Sequence, residues 1–544
     1  MSAPVKKNDE ITLLITGMSS EGHGIGRYEG FAVFVPYALV GETVKAHIIK
    51  VASSYAVGKL VEVTEPSSDR REPACSVFFK CGGCALMHMS YEAQLEYKRN
   101  IVRDALERIG GFQGVDVSPV VGMDDPYRYR NKGSFPFGEQ DGRVVWGLYA
   151  PKSHRLIDVN DCVIESSAAV NAANAVSKWA NGFGVPAYNE LTGKGVLRHV
   201  VTRSLTGGSA VSVVTTGKLP NKEALVNEIR SAVPDVKSIT HNINPNVTNV
   251  IFGKVTRLIW GEGAVRQTIG GFDFSVSAES FLQVNPVQTE KLYSLAVDGL
   301  GLTEDMSVCD LYCGIGTITL MLAKKASHAV GVEYVPKAIA DAKANAERNG
   351  VGNAEFYCGT AESILPRLVA EGRQFDAISL DPPRKGAEPE ALKAVAACGA
   401  RRIAYVSCNP ATLARDLKIL AGYGFTIDSV RPVDMFPHTA HIETVCLLSK
   451  LHEAKHHVNV KLDMDELDFT SAEAKATYKE IEEWVQEHYG FHVTNLNIAQ
   501  VKQKHGIIER ENYNKPKSEN SRQPGCPEEK VKAIEDAMRH FQMI

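Results

Sequence analysis

The 544-residue chain has no apolar run long enough to cross a bilayer. Its first ten residues, MSAPVKKNDE, lack the apolar core of a secretion signal. The expectation is a cytoplasmic protein with no membrane partner. Nor is there an excess of positive charge: 60 Lys and Arg face 64 Asp and Glu, for a formal net charge of −4. A globally basic field is thereby excluded, and any nucleic-acid contact has to come from local patches. No internal repeat is present. In a reducing compartment the eleven cysteines point to metal binding or catalysis rather than to disulfides.

The length implies several domains. Residues 1–66 read as all-β: glycines in SSEGHGIGRYEG lead into FAVFVPYALVGETVKAHIIKV and YAVGKLVEV, where β-branched and aromatic residues alternate with others. Gly22, Gly24 and Gly26 are not a phosphate loop, because a strand and not a helix follows. A five-stranded barrel of OB type fits, an architecture that commonly holds nucleic acid; a purely structural β-domain is the alternative. After the polar linker EPSSDRREPA, a mixed α/β region occupies 67–275, with a clear helix at SYEAQLEYKRNIVRDALERIG. Within it, Arg128, Arg130 and Lys132 of YRYRNKGSFPF read as a basic, aromatic-interleaved strand suited to phosphates and stacked bases, or else as a solvated charged face. From 276 to 450 strands alternate with helices, the pattern of a doubly wound, mainly parallel sheet. Residues 451–544 turn to charged helices, one pair of which reads either as a helix-turn-helix or as simple packing.

The chemistry concentrates in the third region. VCDLYCGIGTITLML is a strand, a Gly-x-Gly turn (Gly314, Gly316) and a helix, and Glu333 ends the next strand at the distance of a ribose-binding carboxylate. The third glycine of the dinucleotide fingerprint is missing and Asp310 stands ahead of the turn. That form resembles the S-adenosylmethionine-dependent methyltransferases, an NAD or other nucleotide site being the alternative. SLDPPRKG follows the fourth strand, with Asp381 where such folds contact the target base. The aromatic residue that amino-methyltransferases place after this motif is absent, and Arg384 stands there instead.

Methylating carbon 5 of a pyrimidine needs help that an exocyclic amine does not. A thiolate added to carbon 6 makes carbon 5 nucleophilic. Cys408, in YVSCNPATLARDL, ends a strand (Ile403 to Ser407) at the ligand edge of the sheet, before a helix opened by the cap-like Thr412. It is expected to be partly exposed, with its thiolate favoured. Carbon 5 must then lose its proton, and Glu443 in DMFPHTAHIETVCLL, flanked by His438 and His441, is the candidate base.

Together VSAESFLQVNPVQTEKLY, DLYCGIGT, LDPPRKG, YVSCNPATLARDL and PHTAHIE resemble the RNA uracil-5 methyltransferases, five motifs in order over most of residues 10–450. The resemblance implies Cys408 as nucleophile and Glu443 as general base, with Gln283, Tyr312, Glu333 and Asp381 at the S-adenosylmethionine site. RNA cytosine-5 enzymes carry a second cysteine after the fourth-strand Pro, which is lacking here. Cys75, Cys81 and Cys84 in CSVFFKCGGC, with Cys162 in VNDCVIE, suit zinc or an iron–sulfur cluster. Resemblance to the ribosomal branch implies a [4Fe-4S] cluster, an RNA-binding TRAM barrel at the N-terminus and 23S ribosomal RNA as substrate, acted on by a monomer. Transfer RNA as substrate, a non-catalytic RNA-binding assembly factor and a small-molecule methyltransferase are the alternatives.

Overall fold

The computed structural model describes residues 3–277, 279–280, 282–450, 478–505 and 526–541. It divides into two compact units, residues 1–452 and 453–544. Among the described residues no helix is long and apolar enough to cross a membrane.

The N-terminal strands Glu10–Met18, His23–Tyr28, Phe31–Pro36, Thr43–Val51 and Tyr55–Glu65 close into a barrel in which the fifth lies between the third and the fourth. Alternate residues such as Ile11, Leu13, Ile15, Val33 and Val35 fill its interior, as the period-two pattern requires. The helix Tyr91–Ala105 follows, capped by the Ser90 side chain on the Ala93 amide and extended by a wider turn, Leu106–Gly110. A seven-stranded sheet comes next. Its order across the sheet is Val255–Gly261, Val236–Ile243, Gly208–Thr215, Leu197–Leu205, Lys132–Gln140, Arg143–Tyr149 and Leu156–Asp158.

The strands of the second seven-stranded sheet are β1 (Ser307–Leu311), β2 (His328–Glu333), β3 (Ala354–Cys358), β4 (Ala377–Leu380), β5 (Arg402–Ser407), β6 (Phe425–Val433) and β7 (Glu443–Lys450). Its order is β3-β2-β1-β4-β5-β7-β6, with β7 antiparallel to both neighbours and the first five parallel. Ile403 and Tyr405 enter one apolar cluster and Ala404 and Val406 another. Both faces are therefore buried, the doubly wound arrangement expected from near-continuous apolar strands. Strand β6 was not among the sequence candidates. Its FTIDSVRPV alternates with polar residues and carries a proline, which a sheet tolerates at an edge.

The second unit holds three described helices, Tyr478–Tyr489, Asn495–Lys504 and Glu528–His540, around Ile481, Val485, Ile498, Val501, Ile534 and Met538. Much of the charged tail read from the sequence, residues 451–477 and 506–525, lies outside the described residues. Lys504 and His505 both pair with Glu535 of the last helix, so the helix pair spends its apolar faces and part of its charge on internal packing.

Candidate active site

The carboxyl ends of β1, β2, β4 and β5 meet along one edge of the sheet, where open α/β folds bind their ligands. Just past β1, Tyr312 has φ of 66° and Gly314 and Gly316 have φ of 54° and 85°, turning the backbone sharply into the helix Thr317–Ala323. A side chain at Gly316 would meet the Phe356 ring at 3.0 Å, so glycine is required there. Glu333, at the end of β2, accepts from the Gly314 amide (3.3 Å) and from the Val335 amide (2.9 Å). It thus fixes the glycine turn.

Asp310 is buried in β1 and accepts from the Thr319 hydroxyl at 2.6 Å. Burial pushes its carboxyl up to about 7, and Asp381, just beyond β4, is also pushed up to about 7 by burial and then by Asp310. Gln283 shares a side-chain hydrogen bond with the buried hydroxyl of Tyr293, which also feels Asp381, Glu443 and Asp310. Gln283, Glu333, Asp381 and Asp310 therefore belong to one neighbourhood. Tyr312 responds instead to Glu362, Glu388 and Asp416, on the other flank of the same turn. Tyr293 was not singled out from the sequence, though it ends the motif that contains Gln283.

Strand β5 pairs with β7 so that Ser407 faces Thr444. The recorded pairing ends there; Cys408 is the next residue after Ser407 and Glu443 the one before Thr444, and the two lie close enough for the Glu443 charge to act on the thiol. Two residues 35 positions apart in sequence are brought near each other by one strand pairing. Cys408 is half-buried, as expected. Its thiolate, however, is not favoured: burial first, and then Glu443, push the thiol up to about 11, against the lowering effect of Arg384. Glu443 is buried and held well above the usual carboxylate range by burial and then by Asp381, with Arg384 again opposing. The cation of Arg384, where an aromatic residue was absent, is thus the group that favours both ionised forms.

The helix after Cys408 starts at Pro410, and its cap is Asn409, whose side chain accepts from the Ala411 amide at 3.0 Å. Thr412 is not the cap. Proline at the first helical position, preceded by Asn, is the local signal for this start. Asn409 and Thr412 both donate to the Arg384 carbonyl, at 3.2 and 3.3 Å, tying the cysteine turn to the Asp381-Pro382-Pro383-Arg384 loop.

Glu443 follows a strap, residues 434–438, whose five carbonyls are all bonded to distant donors. Gln288 donates to Asp434, Asn285 to Met435, Lys98 to Phe436, Tyr129 to Pro437, and the Ala85 and Leu86 amides to His438. Lys98 also pairs with the Asp434 carboxylate at 2.5 Å, both groups fully buried, and Tyr91 donates to the same carboxylate at 2.9 Å. Removing one partner of such a buried pair typically costs about 3–5 kcal/mol, because it strands the other charge. Gln94 accepts from the His438 amide at 3.0 Å and contacts its Nδ1. Burial pushes His438 down to about 4, which gives this histidine a packing role rather than a proton-carrying one. These anchors were missed from the sequence, because nothing local in SYEAQLEYKRN shows that Gln94 and Lys98 face inwards toward a segment over 300 residues away.

Cys75, Cys81 and Cys84, joined by Cys162 from far along the sequence, line one apolar cavity with Phe78, Met87 and Leu148. All four are free thiols. Burial raises Cys84, and its three companions raise it further; burial and then Glu165 push Cys162 up to about 12. Among the described residues no three His, Cys, Asp or Glu converge to hold a single ion.

The basic strand is corrected. The strand begins only at Lys132. Arg128 is bonded to Asp161 (2.6 and 2.7 Å) and Arg130 to Glu165 (3.1 Å), while Tyr129 is buried. Arg130 is thus held by a buried carboxylate, Arg128 by an exposed one at the surface, and the Tyr129 ring is closed to a base.

Comparison with known proteins agrees with this arrangement. Residues 265–451 match the tRNA (Uracil-5-)-methyltransferase family and residues 4–61 the TRAM domain. An uncharacterized RNA methyltransferase of Halalkalibacterium halodurans is 47% identical over 449 residues, 82% of this chain and 98% of that one. One from Clostridium tetani is 46% identical over 455 residues, 83% of this chain and 99% of that one. Among solved structures, the Pyrococcus abyssi tRNA (uracil-54, C5)-methyltransferase in complex with S-adenosyl-L-homocysteine is 27% identical, with a TM-score of 0.65 over 80% of this chain and 100% of that one. With this edge of strand ends and these relatives, the chain belongs to the RNA (uracil-5-)-methyltransferase family and is an S-adenosylmethionine-dependent RNA methyltransferase with an N-terminal TRAM domain.

Proposed function

We propose that the protein methylates carbon 5 of a uridine in 23S ribosomal RNA through a covalent adduct to Cys408, working in the cytoplasm as a monomer. The observation that carries this reading is the nearness of Cys408 to Glu443, Arg384 and Asp381, just past the last paired residues of β5 and β7. The uridine would be flipped out of its stack to reach that edge. The Cys408 sulfur forms a bond to carbon 6, and the ring's 5,6 electron pair moves to carbon 5 as the enolate. S-adenosylmethionine would supply the methyl group that carbon 5 takes up, its S–CH3 bond breaking and S-adenosylhomocysteine departing. Glu443 then accepts the carbon 5 proton, the 5,6 double bond re-forms and the thiolate is expelled, restoring the enzyme. Gln283, Tyr312, Glu333 and Asp381 are proposed to hold the donor, with Arg384 as the cation that favours the ionised thiol.

For the four cysteines we propose a [4Fe-4S] cluster. Four sulfurs lining one apolar cavity are the donor set that holds a four-iron cluster, and zinc is the alternative for the same four ligands. Protein purified without oxygen is expected to contain about four iron atoms per chain, and Cys162→Ser to lose most of them; iron-free wild-type protein with stoichiometric zinc would reverse the assignment.

The substrate is tested by mapping 5-methyluridine by mass spectrometry in ribosomal and transfer RNA from cells with and without the protein. Loss confined to 23S RNA is the expected result. Loss at a transfer-RNA position instead supports the second reading, favoured by the family description and by the archaeal structure named above. No loss in either pool supports the assembly-factor alternative.

A further inference from the structure

The strands Val236–Ile243 and Val255–Gly261 are joined by a loop whose construction the methyl-transfer chemistry does not explain. Arg198 is 3% exposed and lies over the Tyr188 ring at 4.4 Å. Its guanidinium donates to three loop carbonyls, those of Asn244 (2.9 Å), Asn246 (2.5 Å) and Thr248 (3.2 Å). Asn244 donates to the carbonyls of Val250 (2.7 Å) and Ile251 (3.0 Å), and Asn242 clamps both the amide and the carbonyl of Gly253. A side chain at Gly253 would meet the Ile243 carbonyl oxygen at 1.9 Å. The loop is thus held from inside by buried polar groups.

What it holds outward is apolar. Val247 is 78% exposed and Val250 63%, and the return strand adds the exposed Val255 and Leu258. A branched apolar tip on a braced loop is not surplus surface, since ordering it costs entropy that burial of the tip does not repay. Beside it, Lys254 and Arg257 are exposed, and neither makes an ion pair or side-chain hydrogen bond among the described residues. The loop is also tied to the segment that leads to Gln283. Thr256, at its return, donates to Glu279 at 2.7 Å, four residues before Gln283, and Asn242 donates to the same Thr256 hydroxyl at 2.7 Å.

We propose that this loop is an RNA-gripping wedge: Val247 and Val250 pack against the bases flanking the extruded uridine, and Lys254 and Arg257 hold the adjoining phosphates. The proposal rests on the RNA-uridine reading above. A flipped nucleotide leaves an unstacked gap, and apolar side chains inserted at a base step offset part of that loss. Free cations next to the apolar tip make a nucleic-acid strand the fitting occupant, rather than a second copy of an acidic protein chain.

The test measures binding of a radiolabelled 23S ribosomal RNA transcript by filter retention at several salt concentrations, using the full-length protein. Losing two phosphate contacts lowers the magnitude of the slope of log affinity against log salt by about 1.4–1.8. Between 50 and 200 mM salt, K254A/R257A should therefore lose roughly tenfold less affinity than wild type. Val247→Asp should raise KM for RNA while leaving the affinity for S-adenosylmethionine unchanged. An unaltered slope in K254A/R257A together with an unaltered KM in Val247→Asp overturns the wedge, as does a protein dimer that Val247→Asp dissociates without change in RNA binding. Failure of the methylation reading is seen separately, as wild-type protein that makes no 5-methyluridine; the salt slope then still decides whether the loop holds RNA.

Discussion

Cys408→Ala is expected to make no measurable 5-methyluridine, a loss of roughly 10⁴-fold or more, as when other enzymes lose their covalent nucleophile. S-adenosylmethionine affinity by calorimetry should stay close to wild type, because the proposed donor residues sit on β1, β2, β4 and the Gln283 segment rather than at the end of β5. Alanine at a half-buried turn position removes one sulfur and leaves the Asn409 cap intact. Wild-type thiol chemistry supplies a second measure. With the thiol at about 11 in the free protein, alkylation of Cys408 by iodoacetamide should rise about tenfold per pH unit from 8 to 10, since the thiolate is the reacting form. The sign follows from the direction of the shift: a raised thiol is protonated at neutral pH and gains reactivity only as pH climbs. Turnover retained in the alanine variant would refute the covalent route.

Glu443→Gln should stall the reaction at the opposite end. Glutamine keeps the shape and burial of the carboxyl but takes no proton from carbon 5, so the thiolate is not expelled. Methylated RNA joined to protein should then persist through denaturing electrophoresis as a slow band, while multiple turnover falls by about 10²–10⁴-fold, the usual contribution of a general base. The band should require both RNA and S-adenosylmethionine and should vanish in the double variant that also lacks Cys408. A Glu443→Gln enzyme that turns over normally, or that stalls with its RNA free, would reassign the base. A carboxyl held high by burial and by Asp381 is a stronger base than an exposed one once it is ionised, and Arg384 is the neighbouring group that favours that ionised form.

Much of this site was readable in the sequence because the chemistry lies where strands stop. DLYCGIGT, SLDPPRKG and YVSCNP each combine an apolar run with a turn, and each ends a parallel strand at the same edge. The closed barrel was legible for a similar reason, its inward residues following the period of two. The missing parts are long-range. Arg128 and Arg130 looked free because Asp161 and Glu165 lie over thirty residues away, and no local pattern reports a pairing at that distance. The thiolate expectation for Cys408 failed because strand β7 brings a carboxylate near it, a matter of sheet order and not of the SCNP turn. Asn409 was overlooked in favour of Thr412, although proline immediately after Asn marks the helix start.

The strap before Glu443 carries a consequence for how the enzyme comes into being. Its donors are drawn from residues 85–98, 129 and 285–288, all of which leave the ribosome before residue 434 does. The residue proposed as proton acceptor follows a strap held by parts of the chain made before it, so its seat is completed late in synthesis. A carboxyl-terminal piece made alone would present those five carbonyls to water with nothing to hold them, and would gain its chemistry only when the amino-terminal part was added back.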